Sequence, residues 1–372
     1  MSDLTDAPPQ DLPPSSKDLL VVAGPCSAES QEQILDTAKA LQGMPISYFR
    51  AGLWKPRTRP GAFEGVGTKG IAWLQEVKRE TKLKIITEVS LPHHVEETLK
   101  AGFDALWIGA RTVSDPFAVQ NLADALKGCT IPIFVKNPIS PDINLWIGAI
   151  ERLSRANVHL LGAIFRGFSP MYSSKLGYRN TPSWSVAFEL KRIMPHLPII
   201  CDPSHITGKR SDVEEFCKKS VELGFDGVMI ETHIQPDEAK SDASQQVSPT
   251  MLRKILQTVW RSRRTTQPYS LELETYRKLL SEIDDALLST LAKRIEVARE
   301  IGRYKDSHEI PILQMEHFSN VLKTNLERAK KLELPTDFVY HLFTEIHELS
   351  TKVQFEEAKK AENSIHDKER NF

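Results

Sequence analysis

Lys55-Pro56-Arg57-Thr58-Arg59-Pro60-Gly61 follows an apolar run, Ile46-Ser47-Tyr48-Phe49, that itself ends in Arg50. The run reads as a strand, and it delivers four cationic side chains into one short loop. Like charges this close repel unless something anionic lies between them. Pro56 and Pro60 hold the loop extended and lower the entropy cost of ordering it around a ligand. A solvated basic turn is the plain alternative. What favours a binding loop is recurrence, because strands ending in polar residues return along the chain.

Apolar runs lie at Leu19–Ala23, Ile46–Arg50, Lys84–Glu88, Ala105–Ile108, Ile131–Lys136, Leu160–Arg166, Ile199–Asp202 and Gly227–Glu231, separated by segments of helical character. Eight candidate strands over residues 19–257 suit a (β/α)8 TIM barrel, an α/β fold. A doubly wound sheet competes, but it would carry a GxGxxG turn directly after its first strand, and none follows Leu19–Ala23.

Polar residues cluster where the runs end. Cys26 follows the first; Lys55, Arg57 and Thr58 follow the second; Glu88 closes the third; Arg111 follows the fourth. Lys136 and Arg166 close the fifth and sixth, Asp202 and His205 stand at the seventh, and Glu231 closes the eighth with Asp242 beyond. In a barrel these ends converge on the C-terminal face, where barrel enzymes keep their active sites. Lys55, Arg111, Lys136 and Arg166 concentrate positive charge suited to a phosphate or carboxylate. Cys26, His205, Glu231 and Asp242 are ligand types that suit one divalent first-row ion, Mn, Fe, Co or Zn. Each has a plainer reading alone: a buried thiol, a helix cap, a solvated carboxylate. Their conjunction at strand ends favours a metal centre.

Composition sets the outer bounds. The 372 residues are 40% hydrophobic and 26% charged with a formal net charge of −1, which describes a globular protein and argues against a general nucleic-acid partner. No apolar run approaches the ~20 residues of a membrane span. Residues 1–18, rich in Pro, Ser and Asp, read as a disordered lead-in and not a signal peptide. Cys26, Cys129, Cys201 and Cys217 show no CxxC spacing, so reduced thiols and a cytoplasmic location are expected.

Gly24-Pro25-Cys26-Ser27-Ala28-Glu29-Ser30, Lys55-Pro56-Arg57-Thr58, Gly109-Ala110-Arg111, Cys201-Asp202-Pro203-Ser204-His205 and the Glu231…Asp242 pair resemble 3-deoxy-D-arabino-heptulosonate 7-phosphate synthase, type I beta, over residues 19–257. The resemblance implies an aldol-like condensation of phosphoenolpyruvate with erythrose 4-phosphate. It implies one divalent metal per barrel on Cys26, His205, Glu231 and Asp242. Arg50, Lys55, Arg111, Lys136 and Arg166 would grip phosphoenolpyruvate; Arg57 and Thr58 would face the sugar phosphate, with Asp202 near its hydroxyls. Lys55 is placed to protonate the developing alkoxide. The sibling synthase making 3-deoxy-D-manno-octulosonate 8-phosphate is the nearest competitor, and the Lys-Pro-Arg-Thr run favours the heptulosonate enzyme.

Residues 258–269, charged and holding Pro268, read as a linker. From Leu271 to about Asp306 there is no proline, and Leu280, Ile283, Leu287, Leu291, Ile295, Ala298 and Ile301 recur at helical spacing. That predicts a helix about 50 Å long, more than a small monomeric domain needs, and so a partner chain. Helices are also expected over Met315–Lys331 and Thr336–Glu357, with residues 358–372 a polar tail. Arg294 and Lys305 fall within about 20° on one face, while Arg277 lies about 25 Å away along the axis. If all three serve one kind of site, Arg277 reaches it from a second copy; a solvated charged face reads as well.

Arg277, Asp284, Arg294, Gly302, Lys305, Ser350 and Gln354 resemble the all-helical chorismate mutase class over residues 270–357. That class implies an intertwined dimer, conversion of chorismate to prephenate, and no cofactor, only cations that hold the bent conformer. The chain departs from the pattern at Gln314, His317 and Phe318, where Asp, Arg and Glu are usual; Gln314 can still meet a hydroxyl, and Phe318 cannot accept a hydrogen bond. Residues 1–18 leave no room for an N-terminal regulatory domain, so the helical domain is expected to sense prephenate or chorismate and slow the barrel. The alternative is a synthase whose C-terminal domain only senses ligand and dimerises.

Overall fold

The computed structural model describes residues 19–56, 61–170, 177–262 and 271–369. Two compact units divide between Thr265 and Thr266. The first holds eight parallel strands: β1 (Leu20–Gly24), β2 (Tyr48–Arg50), β3 (Ile85–Val89), β4 (Ala105–Ile108), β5 (Ile133–Lys136), β6 (Leu160–Phe165), β7 (Ile199–Cys201) and β8 (Gly227–Glu231). They pair in chain order, and β8 returns to β1 from Leu20↔Gly227 to Gly24↔Glu231, closing the barrel. The expected TIM barrel is what forms.

Strand alternation builds it in layers. Tyr48, Ile86, Phe134, Ile164, Ile200 and Met229 pack together inside the barrel. Their chain neighbours, such as Phe49, Ile85, Val135, Phe165, Ile199 and Ile230, pack outward into the core beneath the helices. Since side chains repeat every second residue, the position two further along each strand turns inward again. Those positions are Arg50, Glu88, Lys136, Arg166, Asp202 and Glu231. A charged layer therefore caps the apolar one at the C-terminal rim. The outer helices seal by amphipathicity; Ile143–Arg155, started by an Asp142 carboxylate that accepts from two backbone N–H groups, buries Trp146, Ala149, Ile150 and Leu153.

The second unit is three helices: Leu271–Ser307, Met315–Lys331 and Thr336–Glu369. The last runs through most of the stretch read as a tail. A single chain buries little here: Leu280, Ile283, Leu287, Leu291 and Ile301 of the long helix are all exposed. Among the described residues no helix is long and apolar enough to cross a membrane.

Gly24 closes β1 against β2. Its φ is +140°, and a Cβ there would lie 2.2 Å from the Arg50 carbonyl oxygen. Gly24→Ala should cost about 3 kcal/mol of barrel stability. All six tryptophans precede Thr265, so urea unfolding followed by tryptophan fluorescence reads this unit; a loss below about 1 kcal/mol would contradict the steric account.

Candidate active site

The charged rim is dry, so each charge needs a partner. Arg50, 0% exposed, donates from Nη2 to Glu231 Oε1 at 3.0 Å. Its guanidinium carbon lies 5.1 Å from the centre of the Trp107 ring, and Lys136 Nζ lies 5.8 Å from the same ring. Lys136 donates to Asp202 Oδ2 at 2.7 Å, and Trp107 Nε1 donates to Glu88 at 3.0 Å. Cations thus stand over an aromatic floor whose polar edge is tied down. Arg50 Nε and Nη1 and Arg166 Nη1 are buried without a hydrogen-bond partner. Burial pushes the Arg166 guanidinium down to about 10, with Asp202 opposing. Buried donors of this kind are costly unless an acceptor arrives, and an anionic substrate supplies one.

Beside them the four metal-ligand types meet. Ligand atoms of Cys26, Glu231 and Asp242 lie within 4.8 Å of one another. His205 Nε2 is 3.6 Å from Glu231 Oε1 and 3.9 Å from Asp242 Oδ2. Lys55 Nζ sits 3.2 Å from Cys26 Sγ, which is 3.4 Å from Asp242 Oδ2. Burial, then the Glu231 charge, push the Cys26 thiol up to about 12. Burial holds the His205 imidazole below its ordinary value, toward the neutral ring a metal requires. One sulfur, one imidazole and two carboxylates at close quarters form a donor set that a divalent cation would satisfy.

Asp202, expected near sugar hydroxyls, is fully buried, and its contacts are to Lys136 and to His205, whose Nδ1 is 2.8 Å from Oδ2. Burial works against the Lys55 ammonium, but its interactions with Cys26, Glu88 and Glu231 outweigh it and raise its pKa. Arg111 lies on the short helix Ala110–Val113 after β4, exposed at the rim. Arg57 and Thr58 lie outside the described residues. Sequence reasoning missed Arg179, 3.1 Å from Asp242, and Gln245, whose amide donates to Glu231 Oε2 at 2.6 Å. It also missed Gln246, which accepts from the Cys26 N–H at 3.0 Å. The Gln245-Gln246 pair just past Asp242 was a readable signal; Trp107 reads only as core.

In the helical unit the last helix faces the first. Arg294 Nη1 donates to Ser350 Oγ, and a Cβ on Gly302 would lie 2.9 Å from Gln354 Cα, so the helices touch backbone to backbone there. Lys305 Nζ donates to the Ile312 carbonyl at 2.6 Å and shares with Gln314 a cavity of about 460 Å³ lined also by Val297, Ile301 and Tyr304. Gln354 Oε1 and His347 Nε2 are buried without a partner. Phe318 stacks on His347 at 3.9 Å. Arg277, far up the long helix, pairs with Glu274 at 3.1 Å and is not brought to the others within one chain.

A closed barrel with a cationic, metal-ready cup at its C-terminal rim defines an enzyme for small anionic substrates. The DAHP synthetase I family model matches residues 15–268 and the chorismate mutase type II model residues 276–355. A phospho-2-dehydro-3-deoxyheptonate aldolase of Thermotoga maritima is 29% identical over 241 residues, covering 64% of this chain and 68% of that protein. A 2-dehydro-3-deoxyphosphooctonate aldolase of Desulfatibacillum aliphaticivorans is 30% identical over 261 residues, covering 64% and 89%. The crystal structure of a Thermotoga maritima DAHP synthase matches at TM-score 0.58 and 26% identity, covering 65% of this chain and 68% of that one. The chain belongs to the DAHP synthetase I family, and it carries a chorismate mutase type II domain behind the barrel. It is a fused, bifunctional enzyme, transferase and isomerase.

Among the described residues, Arg50 and His205 are the ion-pair partners of a fully buried Glu231. Arg50→Leu should therefore cost about 3–5 kcal/mol in urea unfolding read by tryptophan fluorescence, because it strands a buried carboxylate. An unchanged midpoint would mean the pair is not holding the rim.

Proposed function

We propose that the barrel condenses phosphoenolpyruvate with erythrose 4-phosphate and water to 3-deoxy-D-arabino-heptulosonate 7-phosphate and phosphate. The observation that carries the reading is the pairing of unsatisfied buried guanidinium donors on Arg50 and Arg166 with the Cys26, His205, Glu231, Asp242 donor set beside them. Arg50, Lys136, Arg166 and Arg111 bind the phosphate and carboxylate of phosphoenolpyruvate and fix which face of its double bond is presented. Arg57 and Thr58 take the phosphate of the sugar. Asp202 positions Lys136 and His205. Lys55 holds a proton on Nζ and gives it to the alkoxide oxygen as the new carbon–carbon bond forms. Cys26, His205, Glu231 and Asp242 would hold one divalent ion, Mn, Fe, Co or Zn, which when bound polarises the aldehyde. Because relatives of both sugar lengths match, the choice of acceptor rests on Lys55-Pro56-Arg57-Thr58.

The helical unit rearranges chorismate to prephenate. Arg294 and Lys305 bind the two carboxylates and steady charge at the breaking ether bond, with Gln314, Ser350 and Gln354 completing the polar wall. Arg277 comes from a second copy, so the unit works as a dimer at least; the exposed leucine face of the long helix supports this. The four unpaired cysteines support a reducing, cytoplasmic setting. The two reactions stand at the entry and branch of aromatic amino-acid synthesis, and prephenate or chorismate on the helical unit slows the barrel.

With added Mn²⁺ the full chain should join phosphoenolpyruvate to erythrose 4-phosphate and leave a five-carbon sugar phosphate untouched. Cys26→Ala should lose bound metal and condensation together while chorismate turnover persists; full condensation in metal-free buffer would defeat the metal assignment. Arg294→Ala should lower chorismate turnover by at least about 100-fold and also abolish inhibition of the barrel by prephenate. An unaltered inhibition curve in that variant would leave the helical unit with no sensing role.

A further inference from the structure

We propose that Arg179-Asn180, between β6 and β7, is a positioning bracket that sets the barrel's affinity for its divalent ion by fixing two ligand carboxylates and the backbone turn that carries the His205 ligand. The inference rests on the metal reading above. Arg179 Nη1 lies 3.1 Å from Asp242 Oδ1 and donates to Gln245 Oε1 at 2.5 Å. Gln245 in turn donates from Nε2 to Glu231 Oε2 at 2.6 Å. Both carboxylates are thus gripped by one oxygen each. Asp242 is left with Oδ2 toward Cys26 and His205, and Glu231 with Oε1 toward His205 and the Arg50 guanidinium.

Asn180 holds the third ligand. It is 3% exposed, donates from Nδ2 to the His205 carbonyl at 2.6 Å, and donates from its backbone N–H to Ile206 O at 3.1 Å. Gly208 ends that turn at φ +67°, and a Cβ on it would meet Arg179 Cβ at 2.7 Å, so the dipeptide lies flush on the turn that carries His205. Asp242 itself sits at φ 53° and ψ 35°. A non-glycine residue holds that left-handed conformation only when its surroundings over-determine it, and the Arg179 contact is one such determinant.

Geometry, not charge, is what Arg179 supplies. A cation near a divalent ion repels it; one guanidinium nitrogen, Nη1, that reaches Asp242 and Gln245 together orients both. Partners that orient ligands in this way are worth about 10- to 100-fold in metal affinity. The competing role is a further phosphate contact beside Arg166.

The test is Mn²⁺ affinity of the full chain, by calorimetry, with KM for phosphoenolpyruvate measured at saturating Mn²⁺. Arg179→Met removes the bridging nitrogen at similar side-chain length, and although it also removes a repelling charge it should weaken Mn²⁺ by about 10- to 100-fold with KM unchanged. Gln245→Ala, a second route to the same bracket, should weaken it similarly, and the double variant should fall short of the product of the two effects. Affinities within about twofold of wild type, or a raised KM with Mn²⁺ affinity intact, would overturn the bracket. Wild type that binds no Mn²⁺, Zn²⁺ or Co²⁺ at all would instead overturn the metal reading, and the bracket with it.

Discussion

The Arg50–Glu231 pair states the constraint under which the barrel is built. Both side chains are essentially excluded from water, and a lone charge in either place would be prohibitive. The rim solves this collectively. Arg50 answers Glu231, Lys136 answers Asp202, and Arg179 answers Asp242. Yet the balance is deliberately incomplete, since guanidinium nitrogens of Arg50 and Arg166 keep no hydrogen-bond partner. A site that neutralised itself fully would have nothing left for an anion.

The same constraint explains why so much was legible in the sequence. Tyr48-Phe49-Arg50, Ile86-Thr87-Glu88, Phe134-Val135-Lys136, Ile164-Phe165-Arg166, Ile200-Cys201-Asp202 and Met229-Ile230-Glu231 are one pattern written repeatedly. An inward apolar residue is followed two places later by an inward charge, which period-two geometry turns into stacked layers. Runs of apolar residues mark the strands, and the charges that end them mark the catalytic rim. Boundaries were less exact: β2 begins at Tyr48, not Ile46, because only three residues there find ladder partners.

What the sequence hid depends on loops and on partners. Arg179 reaches Asp242 across 63 positions, and nothing in a charged residue amid Gly, Tyr and Asn announces that. Asp202, which the resemblance places near the sugar hydroxyls, also contacts Lys136 and His205, and that support was not legible in the sequence. Trp107 has the look of core and is core, but its ring face also carries two cations. In the helical unit the long helix was plain from its periodicity. Continuation of the last helix to Glu369 was not, because a polar segment carries no apolar stripe by which to recognise it.

The two units handle charge in opposite ways, and the difference has a consequence for how each depends on its surroundings. The barrel buries its cations against internal carboxylates, so its site is assembled by one chain's own fold. In the helical unit Arg277 pairs with Glu274, a neighbour one turn away, on a helix whose leucines are exposed. A site that needs Arg277 beside Arg294 cannot form in one straight helix, where the two are about 25 Å apart. On the proposed reading, association that covered the leucines would also supply that cation, and burial of apolar surface and completion of the site would be one event. The rearrangement and any control exerted through it would then follow the assembly of the long helices.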